Sequence, residues 1–364
     1  MLVAVMPALT TYAFYNNKGG VGKTTLCTNI ACKYADEHPE RRVLVVDMCP
    51  QSNASQFLLG GGRRGHQNNQ TLQNYASRKN IVGFIDWLIN GNLGQKPHTT
   101  YSLAVSGYNQ YIPRNLFLIA GDSFLESLSL ALSYAVLNPA NTQAWPQTMT
   151  ALRRLFQHEA QAAGTDTIVF IDCNPSFSIY TQMALASSDK VVIPMMADYS
   201  SAEGITSMFT MMHGVYPTAA SQKYAQNIQT FSKQVIAHDL QLPVIWEIIF
   251  NNYTSNLGVA NAYNSIRSAL LEICWNHYQL HPALFAPVQA GTSVSSEQVF
   301  ADIYMSDVKD FHSAGKVAAA LGIPMFKLPG ATTYTMPDDS EVGLPQRNYE
   351  VALGEIKALV AKIP

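Results

Sequence analysis

Short runs of apolar residues recur along the chain, and polar residues follow at the point where each run ends. Uninterrupted apolar runs of this length are typical of strands that are buried on both faces of a parallel sheet. The predicted strands are residues 11–15, 42–46, 115–120, 167–171, 191–195 and 244–250, with helical segments between them. This pattern predicts an α/β fold: an open, mostly parallel twisted sheet flanked by helices on both faces. Ligands of such a sheet gather at the carboxyl ends of its strands.

Two polar stretches interrupt this pattern, at about residues 60–82 and 329–346, and both are predicted to be surface loops. We find no shift in composition that would mark a second domain, so residues 1–364 are expected to form one elaborated domain. Apolar residues recur at helical spacing over 349–363, where the charges sum to zero. A helix that lies on an anionic membrane needs an excess of Lys and Arg, so a core-packed terminal helix is predicted.

The overall composition excludes several classes of protein. Hydrophobic residues make up 48% of the chain, which excludes a disordered protein. The net charge is −2, which argues against a protein that grips nucleic acid mainly through a global positive field. No apolar run is long enough to predict a membrane-spanning helix. The five cysteines form no CxxC pair, so reduced thiols in a cytoplasmic protein are expected and disulfide or zinc frameworks are not.

The most informative segment lies between the first predicted strand and the helix that follows. Glycines at three positions allow successive backbone N–H groups to point inward and form an anion nest at the helix N-terminus. Lys23 is positioned to reach the β- and γ-phosphates of a nucleotide, and the Thr24 hydroxyl is positioned to bind Mg²⁺ directly. The predicted nucleotide-binding residues of the loop are Lys18, Gly19, Gly20, Val21, Gly22, Lys23, Thr24 and Thr25.

This loop resembles one particular variant of the phosphate-binding motif. The general pattern requires glycine where Asn17 stands, whereas K-G-G-x-G-K-[ST] fits at every position. The loop is therefore similar to the deviant Walker A motif of the ParA/MinD family of P-loop ATPases, and most similar to ParA-type partition ATPases. Other stretches resemble the family's switch I (residues 43–55), mid-domain strand and helix (115–132), Walker B strand and switch II (167–178), next strand (190–204), closing strand (319–326) and terminal helix (349–363).

The resemblance implies a function and a set of partners. It implies ATP and Mg²⁺ as cofactors, a homodimer in the ATP state, and weak hydrolysis that times DNA or plasmid partition or the positioning of another cargo. Lys18 would then reach across to the phosphates of the partner subunit. A protein activator or cargo adaptor is expected, and no membrane. Nonspecific DNA is a further partner that the family implies and that the composition does not indicate.

Two carboxylates end predicted strands at positions that match the family. Asp172 resembles the Walker B residue and Asp47 the first switch I aspartate, and both would bind Mg²⁺ through its water shell. Together with Lys18 and Lys23 they form the predicted catalytic set. Cys49 stands where the family usually has a second aspartate that positions the attacking water. A thiol orients water poorly, so hydrolysis is expected to be slow unless Asp47 or a partner's group takes over.

Weaker resemblances concern residues that would contact the adenine base and surface cations that would contact DNA. Asn251 matches a position that commonly reads the adenine edge, and residues 302–304 fall near the family's second base-contacting loop. The candidate DNA-contacting cations are few and scattered, and solvated surface charge is the better interpretation of each. They are Arg63, Arg64, Arg78, Lys79, Arg153, Arg154, Arg267, Lys309 and Lys316.

Three other functions remain as alternatives. A nucleotide-dependent scaffold or sensor that does not hydrolyse ATP is favoured by Cys49. An ATP-dependent synthetase of the same fold generally lacks the loop-leading lysine, so Lys18 argues against it. A reductase with an iron–sulfur cluster between subunits needs two cysteines in its switch regions, whereas Cys27 and Cys32 lie on the predicted helix after the loop.

Overall fold

A computed structural model describes residues 6–137, 140–253, 257–328, 333–344 and 346–364. Its strands are β1 (Leu9–Phe14), β2 (Arg42–Met48), β3 (Leu103–Ala104), β4 (Leu116–Ile119), β5 (Thr167–Cys173), β6 (Lys190–Met196), β7 (Val244–Tyr253), β8 (Met305–Lys309), β9 (Thr333–Thr335) and β10 (Glu341–Gly343). Its helices are α1 (Lys23–Glu37), α2 (Asn53–Leu58), α3 (Gly62–Gln73), α4 (Ile81–Ile89), α5 (Leu125–Val136), α6 (Ala144–Met149), α7 (Ala151–Ala163), α8 (Ile179–Ala186), α9 (Tyr199–His213), α10 (Ala219–Ala225), α11 (Phe231–Ala237), α12 (Leu257–Leu280), α13 (Glu297–Tyr304), α14 (His312–Leu321) and α15 (Gln346–Ala361).

Strands β1 to β8 form one sheet in the order β3-β4-β2-β5-β1-β6-β7-β8. All neighbours pair in parallel except β3, which runs antiparallel to β4. The carboxyl ends of β1, β2, β5, β6 and β7 therefore meet at one edge of the sheet. The predicted fold class is confirmed.

Helices cover both faces of the sheet because alternate strand residues point to opposite sides. Tyr12 and Phe14 join a core formed with α1, α14 and α15, whereas Ala13 and Tyr15 join a core formed with α4, α8 and α9. Both faces are therefore apolar, which is why the strands appear in the sequence as continuous apolar runs rather than as alternating ones.

The first polar stretch is not a loop throughout, since α3 forms inside it. Gly61 has a φ of 68°, and a Cβ there would lie 2.1 Å from the backbone nitrogen of Gly322, at the end of α14. Only glycine permits this close approach of two backbones. The loop prediction is wrong for residues 62–73, because tertiary packing against α14 holds a polar segment in a helix.

The carboxyl-terminal part of the chain differs from expectation in two ways. The stretch 329–346 contains the antiparallel hairpin β9–β10, and its residues 329–332 and 345 lie outside the described residues. The predicted closing strand at 319–326 is wrong, since these residues form the end of α14 and the short 3₁₀ turn Met325–Lys327. The last strand of the sheet is β8, which carries polar Ser306 and Asp307 and so shows no apolar run.

The terminal helix is confirmed as a core element. In α15 the side chains of Tyr349, Ile356 and Val360 are buried against the core that contains α1. In the described part of the chain, no helix combines the length and apolar character needed to cross a bilayer.

Candidate active site

The loop between β1 and α1 curls at two glycines. Gly20 and Gly22 have φ values of 74° and 89°, which glycine adopts without strain. Helix α1 begins at Lys23, and its N-cap, Gly22, makes no side-chain hydrogen bond to the first turn. The backbone N–H groups at the start of α1 therefore lack a side-chain cap, and they are suited to bind an anion.

The Lys23 side chain folds back across this loop. Its Nζ donates to the main-chain oxygens of Asn16, at 3.0 Å, and Lys18, at 2.7 Å. Burial lowers the pKa of Lys23, and the charge of Asp172 partly opposes that shift. The ammonium thus lies inside the loop, next to the start of α1, where a phosphate would replace the two carbonyl oxygens as its partner.

Gly22 packs directly against the end of β7. Alanine substitutions along the loop should therefore lower the unfolding free energy by different amounts, in an order that the structure predicts. A Cβ at Gly22 would lie 2.0 Å from Asn251 Nδ2, and a Cβ at Gly20 would meet only open space at a positive φ. A Cβ at Gly19 would meet nothing within 4 Å, and no positive φ opposes it. Gly20→Ala should cost about 1–2 kcal/mol of unfolding free energy through strain alone, and Gly22→Ala should cost more.

Urea unfolding without nucleotide measures this series. Gly19→Ala is the matched control and should change the unfolding free energy by less than about 1 kcal/mol in either direction. Equal stability of all three variants would contradict the loop conformation described here.

The ends of β2 and β5 bring two carboxylates together. Asp47 and Asp172 are paired residues of adjacent parallel strands, and both are fully buried. The Thr24 hydroxyl, from the first turn of α1, donates to Asp172 Oδ2 at 2.7 Å. Burial raises the pKa of Asp172, and the neighbouring Asp47 raises it further.

Asp47 is held by the segment that follows β2. Its Oδ2 accepts from the backbone nitrogen of Ser55, at 2.9 Å, and from the Ser55 hydroxyl, at 2.7 Å, and its Oδ1 accepts from the backbone nitrogen of Cys49, at 3.1 Å. Burial raises the pKa of Asp47, although these hydrogen bonds oppose the shift. In this state Asp47 organises the turn that leads into α2, a partnership that the sequence did not predict.

Asp172 also has the chemistry of a magnesium ligand. Its Oδ1 is buried and has no hydrogen-bond partner, and the Thr24 hydroxyl lies beside the other oxygen. Among the described residues, no group of three or more His, Cys, Asp or Glu side chains could hold a metal ion. A protein that binds Mg²⁺ through one or two side chains plus phosphate and water oxygens needs no such group. Thr24 and Asp172 therefore fit Mg²⁺ held together with a nucleotide.

The cysteines near the site are buried thiols. Cys49 is 8% exposed, and burial together with the charges of Asp47 and Asp172 raises the pKa of its thiol. Cys173 ends β5, and burial likewise raises its pKa. The Cys49 thiol therefore stays neutral and cannot act as a base toward water.

Lys18 lies at the rim of the site, where its ammonium contacts Asp198 Oδ2 of the same chain. Asp198 is the N-cap of α9, just beyond β6. Asn16 ties the loop to β6, because its Nδ2 donates to the carbonyl oxygen of Pro194 at 2.8 Å and its Oδ1 accepts from the Lys18 nitrogen at 2.9 Å. Sequence reasoning assigned no role to Asn16 or Asp198.

Asn251 lies at the other side of the loop. Its Nδ2 donates to the carbonyl oxygen of Val21 at 3.1 Å, and its Oδ1 is buried without a partner. A free amide oxygen can accept from the amino group of adenine, so the proposed base contact stays a prediction with one atom available for it.

The second predicted base contact is wrong. Tyr304 immediately precedes β8, so it lies at the amino end of that strand, whereas the loop follows the carboxyl end of β1. Its hydroxyl donates to the carbonyl oxygen of Ala286 at 2.6 Å. Its ring packs among the aromatic side chains of Tyr278, Phe285 and Phe300. Tyr304 is therefore a core residue.

Several of the candidate DNA-contacting cations are paired within the chain. The ion pairs are Arg78–Asp122, Arg153–Asp189 and Arg267–Asp307. Each pair neutralises a cation that phosphate contact would need, which weakens the case for these three positions.

The model of the AAA domain family matches residues 9–224, which is well over half of the chain. The chain belongs to the AAA-domain family. Among its relatives, the chromosome partitioning protein ParA of Myxococcus xanthus is 33% identical over 193 residues, which cover 53% of this chain and 54% of that protein. The chromosome-partitioning ATPase Soj of Treponema pallidum is 30% identical over 198 residues, covering 54% and 60%. The resemblance to ParA-type ATPases is confirmed.

This AAA-domain chain spans little more than half the length of the relatives it matches. An uncharacterized protein of Pseudomonas putida is 32% identical over 197 residues and is covered over 60% of its length. Among solved structures, Cyanothece McdA without nucleotide aligns with a TM-score of 0.55 and 13% identity, over 96% of this chain and 98% of that one. A Cyanothece McdA variant in complex with ATP aligns with a TM-score of 0.57 and 14% identity, over 97% of each chain. At this identity the likeness supports the fold alone.

Proposed function

We propose that the chain is an ATP-dependent switch ATPase that dimerises on ATP and acts in DNA partition or in positioning another cargo. The observation that carries this proposal is the convergence of Lys23, Thr24 and Asp172 at the uncapped start of α1. A lysine, a hydroxyl and a carboxylate around an anion nest are the groups that bind a magnesium nucleotide. One structural neighbour, the McdA variant, was solved as an ATP complex.

The nucleotide would lie across the start of α1, with its phosphates at the loop and Lys23 Nζ. A cavity of about 570 Å³ opens beside Thr24 and Thr25 and continues past Asn29 to Gln56 and Lys316. Its lining is mostly apolar, with the polar side chains of Asn29, Asn53 and Gln56 among it, which suits the flat base of a nucleoside with its polar edges. Asn251 would approach the base through its free amide oxygen.

Thr24 would bind Mg²⁺ directly, and Asp172 and Asp47 would bind it through water. When bound, the ion neutralises charge that develops on the phosphates. The protein's own contribution is to hold the phosphates at the loop and to place Asp172 beside Thr24. A second subunit would supply Lys18 to the side of the phosphates that faces away from Lys23.

Hydrolysis is expected to be weak, because the neutral Cys49 thiol cannot take the role of an aspartate. Cys49→Asp should therefore raise ATP turnover, by about tenfold or more if the carboxylate orients the attacking water. It should also lower the stability of the nucleotide-free protein, since a third carboxylate then lies beside Asp47 and Asp172.

Phosphate release under saturating ATP and Mg²⁺ measures this effect, and Cys49→Ser is the neutral, near-isosteric control. Unchanged turnover in the aspartate variant, with nucleotide still bound, would count against the assigned role. It would favour the second candidate function, a nucleotide-dependent scaffold or sensor without hydrolysis, which the same cysteine supports.

The burial of two cysteines argues against the reductase alternative. Cys27 and Cys32 are both fully buried within α1, so neither can reach a cluster shared with another subunit.

The test of the proposed function is direct nucleotide titration. ATP with Mg²⁺ should bind with micromolar affinity or better, and Lys23→Ala should weaken binding at least about 30-fold. Thr148→Val is the control, because it changes a buried hydroxyl that bonds only to the backbone carbonyl oxygen of Ala144 in its own helix, α6, and does not line this cavity. Absence of ATP binding to the wild-type protein would overturn the proposal.

A further inference from the structure

Lys18, the residue that the proposed function assigns to a neighbouring subunit, has a partner in its own chain. Its ammonium contacts Asp198 Oδ2, and the two side chains are 25% and 41% exposed. The pair lies at the rim of the site, and a second subunit that approaches the loop would meet it directly. One ammonium cannot pair with Asp198 and with a neighbour's phosphates in the same geometry.

Asp198 is also held by contacts that do not involve Lys18. Its Oδ1 accepts from the backbone nitrogen of Ser201, at 3.0 Å, from the Ser200 hydroxyl, at 2.9 Å, and from the Ser201 hydroxyl, at 3.1 Å. These contacts make Asp198 the N-cap of α9 and leave Oδ2 for Lys18. Although partial burial opposes the shift, the hydrogen bonds from Lys18, Ser200 and Ser201 lower the pKa of Asp198, so the carboxylate stays charged at neutral pH.

The backbone of Lys18 is fixed from both sides. Its nitrogen donates to Asn16 Oδ1, and its carbonyl oxygen accepts from Lys23 Nζ at 2.7 Å. Asn16 in turn donates to Pro194 in β6. A nucleotide that draws Lys23 Nζ onto its phosphates would remove the bond to the Lys18 carbonyl oxygen and loosen the loop segment that carries Lys18.

We propose that Asp198 is a positioning residue that retains Lys18 within its own subunit until the phosphates of a second subunit's nucleotide take its place. The inference rests on the proposed function, because it requires Lys18 to act across a dimer. Asp198 then sets a threshold for dimerisation: both subunits must break this pair before either lysine crosses. The nucleotide of the same subunit favours release by withdrawing Lys23 from the Lys18 carbonyl oxygen.

The threshold has a predictable size. A solvent-exposed ion pair is worth a small amount of free energy, and a symmetric dimer breaks two of them. Removing the pair should therefore tighten ATP-dependent dimerisation about threefold to thirtyfold. The effect should shrink at high salt, because the pair is partly exposed.

Asp198→Asn is the variant that tests this. Asparagine is also a good N-cap and can keep the bond from the Ser201 nitrogen, so α9 should remain folded while the charge is lost. Glu203→Gln is the matched control: it removes one negative charge from an exposed position on the same helix. The readout by sedimentation, with ATP and Mg²⁺, is the dimer dissociation constant for each variant alone and the presence or absence of a dimer in a Lys18→Ala background.

Asp198→Asn should tighten the dimer in the wild-type background and should leave the Lys18→Ala protein monomeric, whereas Glu203→Gln should have little effect in either. Equal tightening by Asp198→Asn and Glu203→Gln would overturn the proposal, because general repulsion between acidic surfaces would then explain the result. No tightening by Asp198→Asn in a protein whose ATP dimer needs Lys18 would also overturn it, and would leave the proposed function intact. A wild-type protein that never dimerises would instead refute the proposed function itself.

Discussion

Asp172→Asn should make the nucleotide-free protein more stable at pH 8 and, in the same variant, reduce ATP hydrolysis at least about 100-fold. The two effects have one cause. Asp172 and Asp47 are buried side by side, so their charges repel until a cation is bound. Replacing one carboxylate by an amide removes the repulsion and also removes the group that fits Mg²⁺.

The pH dependence of this gain follows from the raised pKa of Asp172. A carboxyl group whose pKa lies above its ordinary value of 3.8 holds its proton more tightly in the folded state. Stability then falls as the pH rises from 3.8 toward the folded pKa, and the full cost is present above it. The gain in Asp172→Asn should be about 1–3 kcal/mol at pH 8 and smaller at lower pH.

Urea unfolding in EDTA at pH 6.5 and at pH 8 measures the gain. Lower pH is avoided because burial lowers the pKa of His213 to about 4, so stability is lost through that group as the pH falls below 6.5. The control is Asp122→Asn, another buried carboxylate after a strand, which pairs with Arg78 at 2.8 Å and should lose stability. If Asp172→Asn were less stable than wild type at pH 8, the carboxylates would not repel as described.

Lys18→Ala should abolish ATP-dependent dimerisation and lower turnover at least about 100-fold, while ATP binding changes only a few-fold. The phosphates are expected to stay bound because Lys23 and the loop N–H groups supply the contacts within one subunit. The missing cation would be the one that a second subunit contributes.

Equilibrium binding of ATP and phosphate release, measured on the same preparations, separate these two effects. Lys79→Ala, at an exposed position after α3, is the control and should change neither. A Lys18→Ala protein that loses ATP affinity as strongly as Lys23→Ala would show that Lys18 acts within its own subunit.

Most of the fold could be predicted from local sequence patterns. Six strands of the parallel sheet (β1, β2, β4, β5, β6 and β7) could be predicted from the sequence, since burial on both faces forces apolar runs. Strand β8 could not be predicted, because an edge strand with Ser306 and Asp307 lacks that signal. Helix α3 was missed for a different reason: its polar sequence forms a helix through a close backbone approach between Gly61 and Gly322, which are far apart in the chain.

The same distinction between local signals and long-range contacts applies to the candidate site. The glycine and lysine spacing of the loop is local and could be read from the sequence, as could the carboxylates that end β2 and β5. The partners of those groups are not local. Asp198 follows Lys18 by 180 positions, and the hold of Ser55 on Asp47 depends on how the chain turns after β2. Sequence spacing cannot show that the Lys18 ammonium contacts a carboxylate of its own chain.

The proposed switch requires two copies of this chain to associate around ATP. The most direct test is the mass of the wild-type protein in solution by sedimentation velocity, without nucleotide, with ADP and Mg²⁺, and with ATP and Mg²⁺. We expect a 40.0 kDa monomer in the first two conditions and a species of twice that mass with ATP. A protein that remains monomeric when saturated with ATP, or that has the same mass in all three conditions, would contradict the proposed switch.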